Sequence, residues 1–190
     1  RILTRLSAGG TGEHLAQSFL AECRQLFGAG HAVLMQFDHE SGTGRNLALD
    51  TEIPALADPS EMSLAELHTA RIIRHPAPHI VADIRNESGL NLRHRQLIAE
   101  GLYSVLRAPL VVSDTVKGAV SVWAEGVGHF SVEDAELLGT LTRPLALALE
   151  KAAALESLAE SELKYRSLVA QADEMIFLFD SATHRILDAN

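Results

Sequence analysis

The sequence is poor in cysteine and in basic residues. Cys23 is its only cysteine, which excludes an intrachain disulfide and any metal or redox site built on several thiols. Lysine and arginine number 16 against 25 aspartate and glutamate, for a formal net charge of -9. This acidic balance lacks the basic surface that nucleic acids and anionic lipids require. We therefore expect neither nucleic acid nor a membrane as a partner.

The sequence also lacks an apolar run long enough to cross a bilayer. A spanning helix needs about 20 apolar residues, whereas Arg107 interrupts the richest stretch and Glu150 and Lys151 interrupt the next. Its 47% apolar and 22% charged residues are ordinary for a folded domain with a core. We expect a cytoplasmic protein whose two ends, at residues 1 and 190, look like cuts through a longer chain.

Glycine, proline and polar turn residues separate the predicted helices from the predicted strands. The patterns predict helices over residues 11–27, 63–74 and 92–100, and strands over 31–38, 45–50, 79–84, 102–112 and 115–124. Short turns join the first two strands and the last two, so each pair should form a hairpin. Cys23 falls on the apolar stripe of the first helix, which favours a buried structural thiol over a reactive one.

The longest helical signal runs from Ser131 to about residue 172. Its apolar residues alternate in steps of four and three, the spacing of a two-stranded coiled coil: Leu141, Leu145, Ala148, Ala152, Leu155 and Ala159. This seam predicts a parallel homodimer through the helix 131–172. Pro144 should kink or interrupt the helix near Thr140, because proline lacks the backbone N–H of a helical residue.

Three stretches of the chain resemble those of GAF domains, in the family's order and spacing. They are residues 101–110 (GLYSVLRAPL), 116–122 (VKGAVSV) and 130–138 (FSVEDAELL). The resemblance covers residues 11–150 within a sensor domain 1–150. It implies an α/β (α+β) fold with a central antiparallel sheet of five or six strands flanked by helices, followed by a long C-terminal linker helix.

The last part of the chain resembles the beginning of a PAS domain. The resemblance is carried by residues 162–169 (ELKYRSLV), 173–180 (DEMIFLFD) and 186–190 (ILDAN). It covers the leading helix and the first two strands of that family. It implies a division into the sensor domain 1–150, a linker helix 151–160 and a truncated PAS-like start 161–190.

A GAF domain followed by a PAS domain is similar to the input half of bacterial sensor histidine kinases and of cyclic-di-GMP enzymes. The resemblance implies a non-catalytic sensory and regulatory module of a two-component or related signal-transduction protein. A kinase or cyclase output domain would then lie elsewhere in the full-length protein. The alternative is a dimerisation and spacer module with no ligand of its own.

The residues themselves suggest no catalytic, metal or cofactor site. A Gly-x-Ser-x-Gly elbow is absent, and the glycines at 42 and 44 lack the Gly-Lys-Ser/Thr end of a phosphate loop. Among nine histidines, His75 and His79 stand four apart but have prolines between them, so they do not share a helical face. We expect histidines that face solvent or lie in loops, and a solvated His94 in its charged helical turn.

A small-molecule pocket remains the candidate site. By strand alternation Ser104 and Ser121 mark the ligand-facing sides of their strands, and Trp123 adds a flat apolar contact. Polar contacts would come from side chains on the preceding segments. The predicted ligand-binding residues are Asp83, Arg95, Tyr103, Ser104, Ser121 and Trp123. The alternative is that these are ordinary core, turn and surface residues around an empty or collapsed pocket.

Overall fold

The structure is a computed structural model, and it describes residues 12–51, 53, 62–64, 70–170, 177–183 and 185–189. The chain divides into two compact units, with the boundary after Ala152. The helices are α1 (Gly12–Leu26), α2 (Ala70–Arg74), α3 (Leu92–Ala99) and α4 (Val132–Ala170). The strands are β1 (His31–Asp38), β2 (Thr43–Thr51), β3 (Met62–Ser63), β4 (His79–Val81), β5 (Leu102–Val112), β6 (Thr115–Glu125), β7 (Phe177–Phe179) and β8 (Ile186–Ala189).

A six-stranded sheet forms the centre of the first unit. Its strand order is β3-β2-β1-β6-β5-β4, and every neighbouring pair is antiparallel. Both predicted hairpins are present. In the turn between β5 and β6, Ser113 and Asp114 have φ values of 47° and 62°, the left-handed pair that a tight two-residue hairpin turn requires. The predicted fold class is confirmed.

One face of the sheet packs against α1 and α4. Because side chains alternate along a strand, every second residue of β1, β5 and β6 points to this face, including Leu34, Leu106 and Val120. Phe19 and Leu20 of α1 and Leu138 of α4 complete the same buried cluster. Cys23 lies in it with no exposed surface, and burial, aided by Glu22, raises the pKa of its thiol to about 12. The prediction of a structural thiol is confirmed.

The opposite face of the sheet packs against shorter elements. Phe37 and Met35 of β1 contact Ile72 of α2. Trp123 of β6 packs with Leu97 of α3 and with Ile84, which begins a short 3₁₀ turn (Ile84–Asn86). The two faces therefore differ in kind, since long helices cover one and short segments cover the other.

The predicted helix over 63–74 is partly wrong. Met62 and Ser63 form the edge strand β3, paired with Gly44 and Thr43 of β2, because the hairpin edge offers free backbone groups at this point. The helical part is described only from Ala70, while residues 65–69 lie outside the described part of the chain.

Half of the predicted coiled-coil seam belongs to the core of the domain itself. Leu141 is 9% exposed and Leu145 is fully buried, and both pack against the sheet. Leu155 is 57% exposed. A stripe that faces a sheet repeats every 3.6 residues and a coiled-coil seam every 3.5 residues, so the two patterns are nearly identical over two helical turns. The sequence pattern therefore merged two different surfaces of one helix.

Helix α4 is continuous through Pro144, so of the predicted kink or interruption the interruption does not occur. A proline inside a helix costs about 3 kcal/mol. The fully buried side chains of Leu138 and Leu145 lie on either side of it in the chain, and each contributes about 1.5–3 kcal/mol by burial. Packing against the sheet thus offsets the missing hydrogen bond.

None of the helices in the described residues has the combination of length and apolarity that a membrane span needs.

The second unit contains the end of α4 and a hairpin. Strands β7 and β8 pair antiparallel, and the Asp180 carboxylate accepts hydrogen bonds from the backbone N–H groups of Ala182 and Thr183 in the turn. Both strands lie within residues 173–180 and 186–190, the segments that resemble the first strands of a PAS domain, although residues 173–176 and 190 lie outside the described part of the chain.

The burial of Leu145 gives a test of the core. We expect Leu145→Ala to lower the free energy of unfolding by about 2–5 kcal/mol, because it leaves a cavity between helix and sheet. Leu155→Ala, at an exposed position of the same helix, should change it by less than about 0.5 kcal/mol. Urea unfolding at several protein concentrations measures both. Equal losses in the two variants would contradict the assignment.

Candidate functional site

A cavity of about 50 Å³ lies between the sheet and the short elements of its second face. Strands β1, β5 and β6 form one side of it, and α2 and α3 with the residues before α3 form the other. The side chains that line it are His31, Val33, Met35, Ile72, Asn91, Arg93, His94, Leu97, Arg107, Ala119, Ser121 and Trp123.

The strand register places the polar groups of this cavity side by side. Arg107 of β5 pairs with Ser121 of β6 on one side and with His79 of β4 on the other. His31 of β1 pairs with Trp123 in the neighbouring row. Residues directly opposite in antiparallel strands have Cβ atoms about 4.5–5.5 Å apart. The sheet thus holds a guanidinium, a hydroxyl, an imidazole and an indole in one patch.

Arg107 is the most unusual of these side chains. It is 8% exposed, and its Cζ atom lies 5.4 Å from the centre of the Trp123 ring. Burial lowers the pKa of the guanidinium to about 10, although the negative charge of Glu87 acts in the opposite direction. The side chain therefore remains charged at neutral pH. Within the described residues its guanidinium has neither a hydrogen bond nor an ion pair.

His31 and His79 are buried and neutral. Burial, followed by the positive charge of Arg93, lowers the pKa of His31 to about 3. Burial, followed by Arg107 and Arg71, lowers the pKa of His79 to about 4. The Nδ1 atom of His31 has no hydrogen-bond partner in the described part of the chain. The prediction that the histidines face solvent or lie in loops is wrong for these two, because both lie on the inward face of a strand.

Helix α3 is fixed over the cavity by its own N-terminus. The Asn91 side chain accepts a hydrogen bond from the backbone N–H of His94 (3.0 Å), and the His94 Nδ1 atom accepts one from the Asn91 N–H (3.4 Å). His94 is 5% exposed, with its ring centre 5.8 Å from that of Trp123. The prediction of a solvated His94 is wrong, because the cap turns this residue inward from a charged segment.

Two of the predicted ligand-binding residues, Ser121 and Trp123, line the cavity, whereas Ser104 does not. Ser104 pairs with Ala124, on the face that packs against α1 and α4, and its Oγ atom accepts a hydrogen bond from the His129 N–H (3.2 Å). The grouping of Ser104 with Ser121 is therefore wrong. Alternation within one strand does not show which residues of the neighbouring strand lie on the same face of the sheet. The register shows this, and it pairs Ser121 with Arg107 instead of Ser104.

The other three predicted residues lie outside the cavity. The Asp83 carboxylate forms two 2.8 Å contacts with the guanidinium of Arg85, whose Cζ atom lies 4.0 Å from the centre of the Tyr103 ring. These hydrogen bonds hold the pKa of Asp83 below its usual range. Arg95 is exposed on α3. Asp83 and Tyr103 thus belong to a surface cluster around Arg85, away from the cavity lining.

Sequence reasoning missed the charged and basic members of the cavity, Arg107 and His31 above all. A signal was present, since Arg107 is a lone charge inside an otherwise apolar strand (residues 102–112). A charged residue in such a strand either lies at the edge of the sheet or is buried, and a buried charge normally has a partner. Across the described residues, no cluster of three or more His, Cys, Asp or Glu side chains has a geometry that could hold a metal ion.

Most of the chain, including all the residues that line the cavity, matches a known family. A family model described as GAF domain matches residues 12–150. The chain belongs to the GAF domain family. GAF domains are regulatory and sensory modules of signalling proteins and are generally non-catalytic. No curated protein was found to match the sequence.

Solved structures of several proteins have the same fold at low sequence identity. The GAF domain of a phosphoenolpyruvate-protein phosphotransferase from Coxiella burnetii has a TM-score of 0.72 at 17% identity, covering 82% of this chain and 92% of its own. Free methionine-R-sulfoxide reductase from Neisseria meningitidis, solved with its substrate, has a TM-score of 0.68 at 14% identity. The match covers 81% of this chain and 87% of the reductase chain. The phycocyanobilin-bound GAF domain of a cyanobacterial phytochrome has a TM-score of 0.64 at 18% identity. The match covers 80% of this chain and 93% of the phytochrome chain.

The low pKa of His31 predicts that acid destabilises the fold. Between pH 6.5 and 3 the unfolded chain binds a proton at this imidazole and the folded chain does not. The free energy of unfolding therefore falls as the pH falls through this window, by about 1.4 kcal/mol per pH unit for one such group. His31→Gln should flatten the dependence between pH 6 and 4, as measured by urea unfolding.

The matched control is His14→Gln, which removes an exposed histidine of α1. It should leave the pH dependence of the wild type unchanged. His79, with its pKa lowered to about 4, adds to the slope in the same direction. An unchanged slope in His31→Gln would contradict the buried, neutral state of this residue.

Proposed function

We propose that this GAF domain is the cytoplasmic sensory module of a multidomain signalling protein of the sensor histidine kinase or cyclic-di-GMP enzyme type. A small molecule would bind in the cavity and change the position of α4, which leads to a PAS-like domain and an output domain. One observation carries the proposal. Ser121 and Trp123 of β6 line the cavity, and β6 is followed in the chain by α4.

The connection between β6 and α4 is held at several points. The N–H of Gly126 donates to the carbonyl oxygen of Gly101 (3.2 Å), and that of Gly128 donates to that of Ala82 (2.9 Å). His129 contacts the Ser104 hydroxyl through its N–H and the Phe27 carbonyl oxygen through Nε2 (2.9 Å). A connection tied in this way transmits a shift of β6 to the helix and does not absorb it.

The start of α4 is likewise well defined. The Ser131 Oγ atom accepts a hydrogen bond from the Asp134 N–H, and the Asp134 carboxylate accepts bonds from the N–H and hydroxyl of Ser131. This reciprocal cap fixes the first turn of the helix. Ligand binding would thus favour one of two packings of α4, as a population shift.

Structures with the same fold support a small-molecule ligand. The reductase from Neisseria meningitidis was solved with its substrate, and the phytochrome GAF domain carries phycocyanobilin. The cavity here combines apolar side chains with a few polar ones, as ligand sites commonly do. We propose no catalysis within this chain, because its sequence contains neither a Gly-x-Ser-x-Gly elbow nor a phosphate loop.

We further propose a parallel homodimer through α4, with a seam one position away from the predicted one. Most of the large exposed apolar residues of α4 fit a 4-3 register, which also includes Thr140, Pro144, Lys151 and Ser161. The exposed members of this register that carry apolar side chains are Leu137, Leu147, Ala154, Leu158, Tyr165 and Leu168. A second copy of the helix would cover a stripe of this kind.

The alternative function, a dimerisation and spacer module without a ligand, is favoured by one observation. A cavity of about 50 Å³ is well below the 300–1,000 Å³ of typical ligand sites. In that case the buried polar groups would serve only to position α2 and α3 over the sheet, and α4 would act as a rigid connector.

A thermal-shift screen of small metabolites separates the two functions. We expect a ligand to raise the melting temperature and to change the fluorescence of Trp123, the only tryptophan. Ser121→Leu fills the cavity and should abolish both effects, whereas Thr115→Leu, at an exposed position of the same strand, should not. Hits that survive Ser121→Leu would place the site elsewhere, and a screen without hits would favour the spacer module.

The dimer seam is tested by two leucines of α4 with almost equal exposure. Leu158 is 66% exposed and lies in the proposed seam, whereas Leu163 is 69% exposed and lies on the opposite side of the helix. We expect Leu158→Glu to weaken association by at least about tenfold, because it places like charges against each other. Leu163→Glu should leave it unchanged. Light scattering over a range of concentrations decides, and a monomeric wild type would refute the dimer.

A further inference from the structure

Arg107 places a positive charge inside the domain, and the described residues put no opposite charge within ion-pair distance of it. Glu87, the acidic residue that acts on it electrostatically, is itself exposed. The contact with the Trp123 ring compensates only part of the lost hydration, since a cation–π contact is weaker than the hydration that a buried ion loses.

Burying a charge without a partner is expensive. The effective cost in a protein is several kcal/mol per ion, and an apolar residue of the same size is usually as stable or more stable. Folding alone therefore gives no reason for an arginine at position 107. A partner that arrives from solution does give one, because it would pair with a guanidinium that the fold has already placed and partly dehydrated.

The rest of the cavity lining fits a negatively charged partner. In the described part of the chain it contains a second arginine, Arg93, and neither aspartate nor glutamate. The Ser121 hydroxyl lies in the row of Arg107 and can donate a hydrogen bond. His31, neutral and 1% exposed, lines the same space with a ring nitrogen that lacks a protein partner in the described chain. Among the described residues that line the cavity, side chains that can donate hydrogen bonds predominate, and Arg107 has no ion-pair partner.

The remaining lining is apolar. Met35, Ile72, Leu97 and Val33 contact the cavity opposite and beside the polar row. A fully hydrated inorganic anion gains little from such surfaces, whereas the carbon atoms of an organic acid do. The fork of an arginine matches the two oxygens of a planar carboxylate.

From this arrangement we propose that the cavity binds a small organic acid, whose carboxylate pairs with Arg107 and whose carbon skeleton packs against Trp123 and Ile72. The inference rests on the proposed sensory function and names the chemical class of its ligand. Arg107 is then the residue that determines specificity for charge, and Ser121 and His31 supply hydrogen bonds to the same group. The small size of the cavity limits the acid to a short carbon chain.

The test compares acids with their uncharged amides. Acetate and acetamide, propionate and propionamide, and benzoate and benzamide are added to the protein, and the melting temperature and Trp123 fluorescence are measured. We expect at least one acid to bind and its amide to bind at least about tenfold more weakly, the range for loss of a charged hydrogen bond.

Two arginine variants complete the test. Arg107→Met should abolish acid binding, and the ligand-free protein should melt at the wild-type temperature or above it, since an unpaired charge has been removed. Arg45→Met removes an exposed arginine that bonds to Gln36 and should bind acids like the wild type. Should Arg107→Met fail to fold, Arg107→Lys keeps the charge without the fork and should bind the same acid more weakly.

Each contrary result has its own meaning. If amides bind as well as acids, or if Arg107→Met or Arg107→Lys retains full acid binding, the organic-acid ligand is refuted while the sensory function stands. If inorganic phosphate binds and no carboxylate does, the site takes a different anion and the proposal is wrong. If neither these compounds nor a wider metabolite library binds, the proposed sensory function fails together with its ligand.

Discussion

The pairing of β1 with β6 is the constraint on which the rest of the structure depends. Without it the domain would be two separate hairpins, since β1–β2 and β5–β6 are each local in sequence. The pairing requires close approach, and a Cβ atom at Gly118 would collide with the carbonyl oxygen of Met35. It also brings His31 beside Trp123, so the same contact that closes the sheet assembles one side of the cavity.

Much of the fold could be predicted because its signals are local. The helix and strand periods, the Ser113–Asp114 turn and the glycines gave the order of elements, and the resemblance to GAF domains gave the sheet. The apolar stripe of α1 correctly placed Cys23 in the core. These features depend on residues a few positions apart, which is the range over which sequence patterns carry information.

The site was less predictable because it depends on register between distant strands. Alternation correctly separated the two faces of β5 and of β6, but only the pairing of Ser121 with Arg107 shows which faces coincide. The burial of His94 depends on a cap at Asn91 and on Trp123, nearly thirty positions later. Likewise, the face of α4 that meets the sheet is decided by tertiary packing, which a repeat of three and four residues does not encode.

The two stripes of α4 have a geometric relation of their own. Where α4 packs against the sheet, positions of the 4-3 register directly precede buried ones, as 137 precedes 138 and 144 precedes 145. Adjacent residues of a helix are separated by about 100° around its axis. In the proposed dimer, the surface of α4 that contacts the sheet and the surface that contacts the partner would therefore be separated by a fixed angle around the helix axis. A small turn of the helix about its axis would alter both at once, with no need to change its length or to bend it.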